Sequence, residues 1–323
     1  MLIGRILWIS MSVLLLCATA NAQTYPTRNI SLTVPYAAGG ASDIVGREIA
    51  NRLTAQLGHT VFVENRPGAS GNLGSMFVAR SAPDGYQLLS GSNGPQAINV
   101  ALLGKLPYDP VRDLKPIAMI AEVPVVLVVA GNSSIRTVKD LIAFIRASKK
   151  PVSYGSAGNA STPHLAGEYF RQLAGLELTH VPYKGDAGAL TDLVGGHIEL
   201  SFPALASALP LIKAGKLRAL AVSSARRNSL LPDVPSMKES GLPQYEMVGW
   251  YGLFAPKDIP EPLVTKLVQE VRVSLADSKL RQQFAAVGVE PASSIEGEAF
   301  ARFQAEQIEK YRVLIREAKI TAD

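Results

Sequence analysis

Two short stretches of small residues hold the groups in this chain that could do chemistry. The first is Tyr36-Ala37-Ala38-Gly39-Gly40, running into Ala41-Ser42-Asp43. The second is Ser156-Ala157-Gly158-Asn159-Ala160-Ser161-Thr162-Pro163-His164. Each follows an apolar run of strand character and opens a run of helical period; after the first, Val45, Ile49, Leu53 and Leu57 repeat along one face. A loop that ends at a helix N-terminus exposes backbone N–H groups without an intrahelical partner, and the positive end of the helix dipole points the same way. The chemistry such a place supports is anion binding. It is not a nucleotide loop, because no Gly-Lys-Ser or Gly-Lys-Thr follows and Gly39-Gly40 lacks the spacing of a dinucleotide fingerprint. A plain strand-to-helix connection explains either stretch alone. Two of them, each richer in glycine, serine and alanine than a connection requires, point to a ligand held between facing loops.

The side chains near these loops each have two readings. Ser156, Ser161 and Thr162 are hydroxyl donors for a carboxylate, or equally caps and local turns. Thr162 reads as the N-cap of its helix, with Pro163 at the first helical position. Asp43 orients a ligand, or offsets the helix dipole and braces its loop. His164 is the histidine placed beside a loop, and a hydrogen-bonding role behind that loop suits it better than that of a base. His59, His180 and His197 lie far apart with no ligand spacing. There is no G-x-S-x-G elbow and no H-E-x-x-H, so no catalytic residue, metal site or cofactor is expected.

The elements that must position these loops alternate strand and helix along the chain, which argues for α/β layers with mostly parallel strands. Strands are expected at 61–64, 86–89, 117–120, 125–130, 152–154, 178–183, 200–202, 217–223 and 248–256. Helices are expected at 73–79, 141–148, 189–194 and 209–214, and two long ones carry the stripes Leu263, Leu267, Val271, Leu275 and Phe300, Phe303, Ile308, Tyr311, Ile315. Thr137 to Asp140 reads as a capping box.

Residues 1–22 read as a signal peptide: Arg5, an apolar run at 6–16, then Ala20-Asn21-Ala22 before a cleavage site. The run is shorter than the ~20 residues of a membrane span. Cleavage after Ala22 removes Cys17, the only cysteine, and with it any disulfide or thiolate. Roughly 300 residues remain, enough for a large core divided between two lobes. The net charge of +5 is scattered, Arg226-Arg227 being the nearest thing to a run, which excludes a nucleic-acid partner.

VPYAAGGASD (34–43), ENRPGASGNLG (64–74), YGSAGNASTPHLAGE (154–168), HVPYKG (180–185), LVGGHIELSF (193–202), KLRALAVSSARR (216–227), LPDVPSMKESG (231–241) and GWYGLFAP (249–256) stand in one order along the whole mature chain. In that order they resemble the Bug-type solute-binding receptors of tripartite tricarboxylate transporters. The resemblance implies a periplasmic receptor of two-lobed, Venus-flytrap (type II-like) architecture. One lobe is then 23–123 plus 248–323 and the other 124–247, with crossings near 122–124 and 246–249. It implies a small carboxylate gripped through Tyr36, Ala38, Gly39, Gly40 and Asp43 on one side and Ser156, Ala157, Gly158, Ser161 and Thr162 on the other. Ser92, Asn93 and Phe202 are further ligand-binding candidates, with His164 and Asp186 behind them. Partners implied are membrane transporter subunits, served by a monomer. Asp186 stands where the family usually has a small residue; facing the cleft it would disfavour a second carboxylate, and otherwise it is a turn or helix-cap acid. The rival readings are a receptor for a sensor and an exported hydrolase, the latter lacking a serine with an evident base.

Overall fold

The structure is a computed structural model and describes residues 25–39, 41–183, 185–292 and 295–321; the leader and Cys17 lie outside them. The opening unit follows the sequence pattern. Strand β1 (Ile30–Val34) is wholly buried, and helix α1 (Ala41–Leu57) lays Val45, Ile49, Leu53 and Leu57 on it. Strand β2 (Val61–Asn65), helix α2 (Asn72–Ala79) and strand β3 (Gln87–Ser92) follow, then a π-helical turn at Gly94–Ile98 that runs into helix α3 (Asn99–Leu103). A long strand β4 (Leu114–Pro124) leads out of this unit.

The middle of the chain builds a second unit. Its elements are β5 (Val126–Ala130), α4 (Val138–Ala147), β6 (Ser153–Ser156), α5 (Thr162–Ala174), β7 (Thr179–Pro182), α6 (Asp186–Gly195), β8 (Leu200–Ser201), α7 (Leu205–Lys213) and β9 (Leu217–Val222). The capping box before α4 is present, with Thr137 and Asp140 exchanging hydrogen bonds. Strand β10 (Val248–Pro256) then returns to the first sheet, followed by α8 (Glu261–Ala276), α9 (Ser278–Ala286), β11 (Glu290–Pro291) and α10 (Gly297–Glu317).

Two sheets result, ordered β11-β4-β10-β3-β1-β2 and β7-β6-β8-β5-β9. The expectation of mostly parallel strands needs correcting. β1, β2 and β3 pair in parallel, as do β6, β7 and β8, but β10 is antiparallel to both β3 and β4, and β5 is antiparallel to β8 and β9. The reason lies in the connections. Strand–helix–strand units give parallel pairs, whereas β4 leaves its sheet for the other unit and β10 comes back beside it, so these two must run in opposite directions.

Helices cover both faces of both sheets. α1, α8 and α9 enclose Leu32, Ile49, Leu267 and Phe284; α6 and α7 enclose Val128, Leu193 and Leu209. A third core runs from one unit into the other, from Leu89, Met119, Trp250 and Phe300 to Tyr154, Phe170, Phe202 and Tyr245. Trp250, on β10 and paired in register with Glu122 of β4, is edge-on to Phe300 and Phe303. Polar contacts also cross between the units. Asn228 Nδ2 donates to Glu290 Oε1 at 2.5 Å, and Lys310 of α10 donates to the Glu246 carbonyl. The result is a two-lobed α/β molecule whose lobes meet along β4 and β10.

Candidate functional site

The first loop is braced by one carboxylate. Asp43, in the first turn of α1, accepts the Gly39 N–H and the Arg47 Nε–H on Oδ2, both at 2.9 Å, and the Asn65 amide on Oδ1 at 2.9 Å. Asn65 also donates to the Tyr36 carbonyl at 3.0 Å, so the end of β2 holds both ends of the loop. Burial alone would raise the Asp43 pKa, but the hydrogen bonds from Arg47, Gly39 and Asn65 outweigh it and keep the carboxyl below its usual range. Gly39 sits at φ +88°, a left-handed conformation that a side chain strains. Ala37, Ala38 and Gly39 are exposed. Gly40 lies outside the described residues. Ser42, one residue before Asp43, is 5 % exposed and its hydroxyl has no partner among the described residues.

The wall behind this loop is tyrosine-rich. The Tyr36 hydroxyl meets Ser92 Oγ at 3.2 Å. A Cβ at Gly71 would lie 3.2 Å from the Tyr36 ring, and one at Gly94 2.8 Å from its hydroxyl. Burial raises the pKa of Tyr36, a shift only partly offset by Ser92, and burial beside Tyr36 raises that of Tyr251. Next to Ser92, Asn93 extends its amide to the Thr162 hydroxyl at 2.9 Å, a direct contact between the lobes.

The second loop is built on hydroxyls and imidazoles. Ser161, not Thr162, is the N-cap of α5: its Oγ accepts the His164 N–H at 3.3 Å and donates to the Gly158 carbonyl at 2.7 Å. Thr162 therefore takes the first helical position and Pro163 the second, a shift of one residue from the sequence expectation. It frees the Thr162 hydroxyl for Asn93. Ser156 Oγ accepts the Gly158 N–H at 3.1 Å and lies 2.7 Å from His180 Nε2. Gly158 has φ +127°, and a Cβ there would meet the Tyr183 carbonyl oxygen at 3.2 Å. His164 Nδ1 accepts the Ala160 N–H at 3.0 Å, and the His164 and His180 rings stack 3.7 Å apart at 4°. Burial, then proximity to His180, lowers the His164 pKa to about 3.

Tyr36, Ala38, Gly39, Asp43, Ser92 and Asn93 thus come together on one side, and Ser156, Ala157, Gly158, Ser161, Thr162 and His164 on the other. Two expected residues do not join them. Phe202, just past β8, is 0 % exposed and packed among Phe170 and Tyr245 in the core. Asp186 directs its carboxylate to the Ala204 N–H at 3.2 Å and to the Ser207 hydroxyl, at the N-terminus of α7. That is the helix-cap role, and burial raises its pKa. Asn65, Ser42 and His180 are the residues that sequence reasoning missed. A cavity of about 470 Å3 lies elsewhere, between α5 and α10, lined by Tyr169, Lys310 and Leu314 among others. It touches neither loop.

A family model described as "Tripartite tricarboxylate transporter family receptor" matches residues 45–320. Protein BugT of Bordetella pertussis (strain Tohama I) is 34% identical over 303 residues, 94% of this chain and 93% of that protein. A solved structure titled "R. palustris Rpa4515 with adipate" superposes with a TM-score of 0.80 at 34% identity, covering 92% of this chain and 99% of that one. Another, MatC from Rhodopseudomonas palustris with bound malate, has a TM-score of 0.73 at 30% identity over 90% of this chain and 100% of that one.

Proposed function

Because the chain belongs to the receptor family of tripartite tricarboxylate transporters, we propose that it closes two lobes over a small carboxylate and presents it to its membrane partner. The observation that carries this reading is the pair of loops at the N-termini of α1 and α5, with Thr162 of the second bonded to Asn93, the neighbour of the Ser92 that meets Tyr36 of the first. On this reading the ligand is held by loop backbone at Ala38–Gly39 and Ala157–Gly158, with Ser42 and Thr162 as hydroxyl donors and Ser161 shaping the loop as the cap of α5. Tyr36, Ser92 and Asn93 form the wall. Asp43 acts on the ligand through the loop that it braces. Helix N-termini supply donors to an anion without a buried arginine. Closure then excludes water and strengthens each charge-assisted hydrogen bond.

The related structures carry adipate and malate, so dicarboxylates are the first probes. Receptors of this family are periplasmic. We read residues 1–22 as a leader removed after Ala22, the mature protein as a monomer, and the lobes as 23–123 plus 248–323 and 124–247. A mature mass starting at Gln23 tests the first of these. We assign no hydrolytic activity. The Ser156–His180 pair looks like a nucleophile and base, but Ser156 is 0 % exposed and its hydroxyl is shared with Gly158.

The test is a thermal-shift screen of small carboxylates on protein refolded to strip carried-over ligand. A true ligand at a hundred times its dissociation constant stabilises by about 2.7 kcal/mol. That shift should vanish in Gly39→Val and Gly158→Val. A folded protein that no carboxylate stabilises would refute the reading.

A further inference from the structure

Charges that are scattered along the sequence are gathered by the fold. In the second sheet β5 runs antiparallel to β8 and β9, while β6 runs parallel to β7 and β8. The C-terminal end of β5 and the N-terminal ends of the other four strands therefore share one pole of this unit. The second loop leaves β6 at the opposite end. The segments that connect elements at the pole are 131–152, 175–179, 196–200 and 211–218. Together they hold eight Lys and Arg against three Asp and Glu, whereas the rest of the chain from Gln23 on holds 23 against 24. The net positive charge sits at this pole.

The cations there are not spent on internal partners. Arg136, Lys149, Lys150, Lys213 and Lys216 are exposed. The ion pairs of this unit lie elsewhere, at Arg171–Glu168, Arg227–Glu239 and Lys238–Glu246, and among the described residues none of the five cations joins one. Two of the three acids are engaged with backbone N–H groups. Asp140 completes the capping box of α4, and Glu199 accepts the Ser153 N–H and hydroxyl, both at 2.7 Å. Arg218 fixes the base of the pole, donating to the carbonyls of Ser133 at 2.7 Å and Gly131 at 2.9 Å. It thereby ties the loop that carries Arg136 to the strand that follows Lys216. One turn before Lys149–Lys150, Phe144 is 43% exposed.

We propose that this pole is a docking surface for an anionic lipid bilayer, on which the protein rests with its loop end turned away. Four of the five free cations are lysines, compact hydrated point charges on flexible stems. Protein interfaces deplete lysine in favour of arginine and several aromatic residues. A field of phosphate headgroups requires only charge, and a cluster of this size is what such surfaces attract. Phe144 supplies one apolar ring for the headgroup boundary. The inference goes beyond carboxylate capture and does not depend on it.

The experiment is co-sedimentation of the protein from Gln23 on with vesicles of phosphatidylcholine, with and without about one-third phosphatidylglycerol. Binding is expected to the anionic vesicles alone, and to be lost as salt rises from about 0.05 M to about 0.3 M. The variant Lys149→Glu, Lys150→Glu, Lys213→Glu, Lys216→Glu should bind at least tenfold more weakly, with its melting temperature and carboxylate affinity unchanged. A second variant controls for net charge: Lys105→Glu, Lys257→Glu, Lys279→Glu, Lys319→Glu changes exposed lysines of the other unit and should keep most of the binding. Equal losses in the two variants would mean that total charge acts, not the pole, and would overturn the inference. So would a wild type that ignores anionic vesicles, including the case in which the pole variant fails in transport, which would make this a face for a protein partner. Failure of the carboxylate screen would leave the vesicle result standing.

Discussion

Asp43 accepts hydrogen bonds from Gly39, Arg47 and Asn65, so replacing it acts on binding through the shape of the loop. Asp43→Ala should lower stability by about 1–3 kcal/mol, since it removes the buried acceptor of three hydrogen bonds, and should weaken carboxylate binding at least tenfold. A denaturant titration beside a binding isotherm checks both; weaker binding with unchanged stability would mean instead that Asp43 meets the ligand directly. His164 gives a prediction with a sign. Its folded pKa is about 3, below the ordinary 6.5, so below pH 6.5 the unfolded chain binds a proton that the folded one does not. Stability is therefore full above pH 6.5 and lost as pH falls towards 3, by up to about 1.4 kcal/mol per unit. His164→Asn keeps an acceptor for Ala160 and should flatten that slope in pH-dependent melts. The sequence offered both residues and leaned to an ordinary role for each, loop bracing for Asp43 and a hydrogen bond behind the loop for His164. Which role holds depends on partners far away in sequence, Asn65 for Asp43 and His180 for His164. His180 itself was unreadable, because its meeting with His164 needs β7 to lie beside β6 under α5.

At the scale of elements, the contacts that aim the loops are made where side chains are missing. A Cβ at Gly167 of α5 would lie 2.2 Å from the Tyr154 ring. Gly167→Ala should push α5 off β6 and cost about 1–3 kcal/mol, read as a lower denaturation midpoint. Gly167→Ala with Tyr154→Leu should recover part of that loss, because the ring is what the new methyl meets. Ser161→Ala removes a cap worth about 1 kcal/mol together with a bond to the Gly158 carbonyl, and should weaken binding more than it lowers the melting temperature. The long helices were legible because their apolar stripes are long and regular; α8 and α10 lie where Leu263–Leu275 and Phe300–Ile315 put them. The nine-residue α9 buries only Leu280 and Phe284, too thin a stripe to stand out. Strand direction was misjudged for a related reason. A buried apolar run such as Val126–Val129 looks the same in a parallel and an antiparallel sheet.

For the whole molecule, the hydrogen bond from Asn93 to Thr162 joins the units built on the two sheets. A double-mutant cycle of Asn93→Ala and Thr162→Val, followed by ligand affinity, should give a coupling of about 0.5–1.5 kcal/mol. Additive effects would show that the contact contributes nothing to closure. The α/β class and the paired loops could be read from local pattern. The assignment of chain ends to one lobe and chain middle to the other came from the resemblance; β4 ends at Pro124 and β10 begins at Val248. Local pattern could not give that division, because it is fixed by pairing between strands more than a hundred residues apart.

The position of Trp250 has a practical consequence. The sequence holds two tryptophans, and the other, Trp8, falls within residues 1–22, so a protein that begins at Gln23 would carry a single indole. That indole is 1 % exposed, sits on the returning strand opposite Glu122 and lies edge-on to two phenylalanines of the last helix. Its emission is a built-in optical gauge of the seam where the two units meet. Ligand titrations can be followed by intrinsic fluorescence with no dye attached and no residue changed.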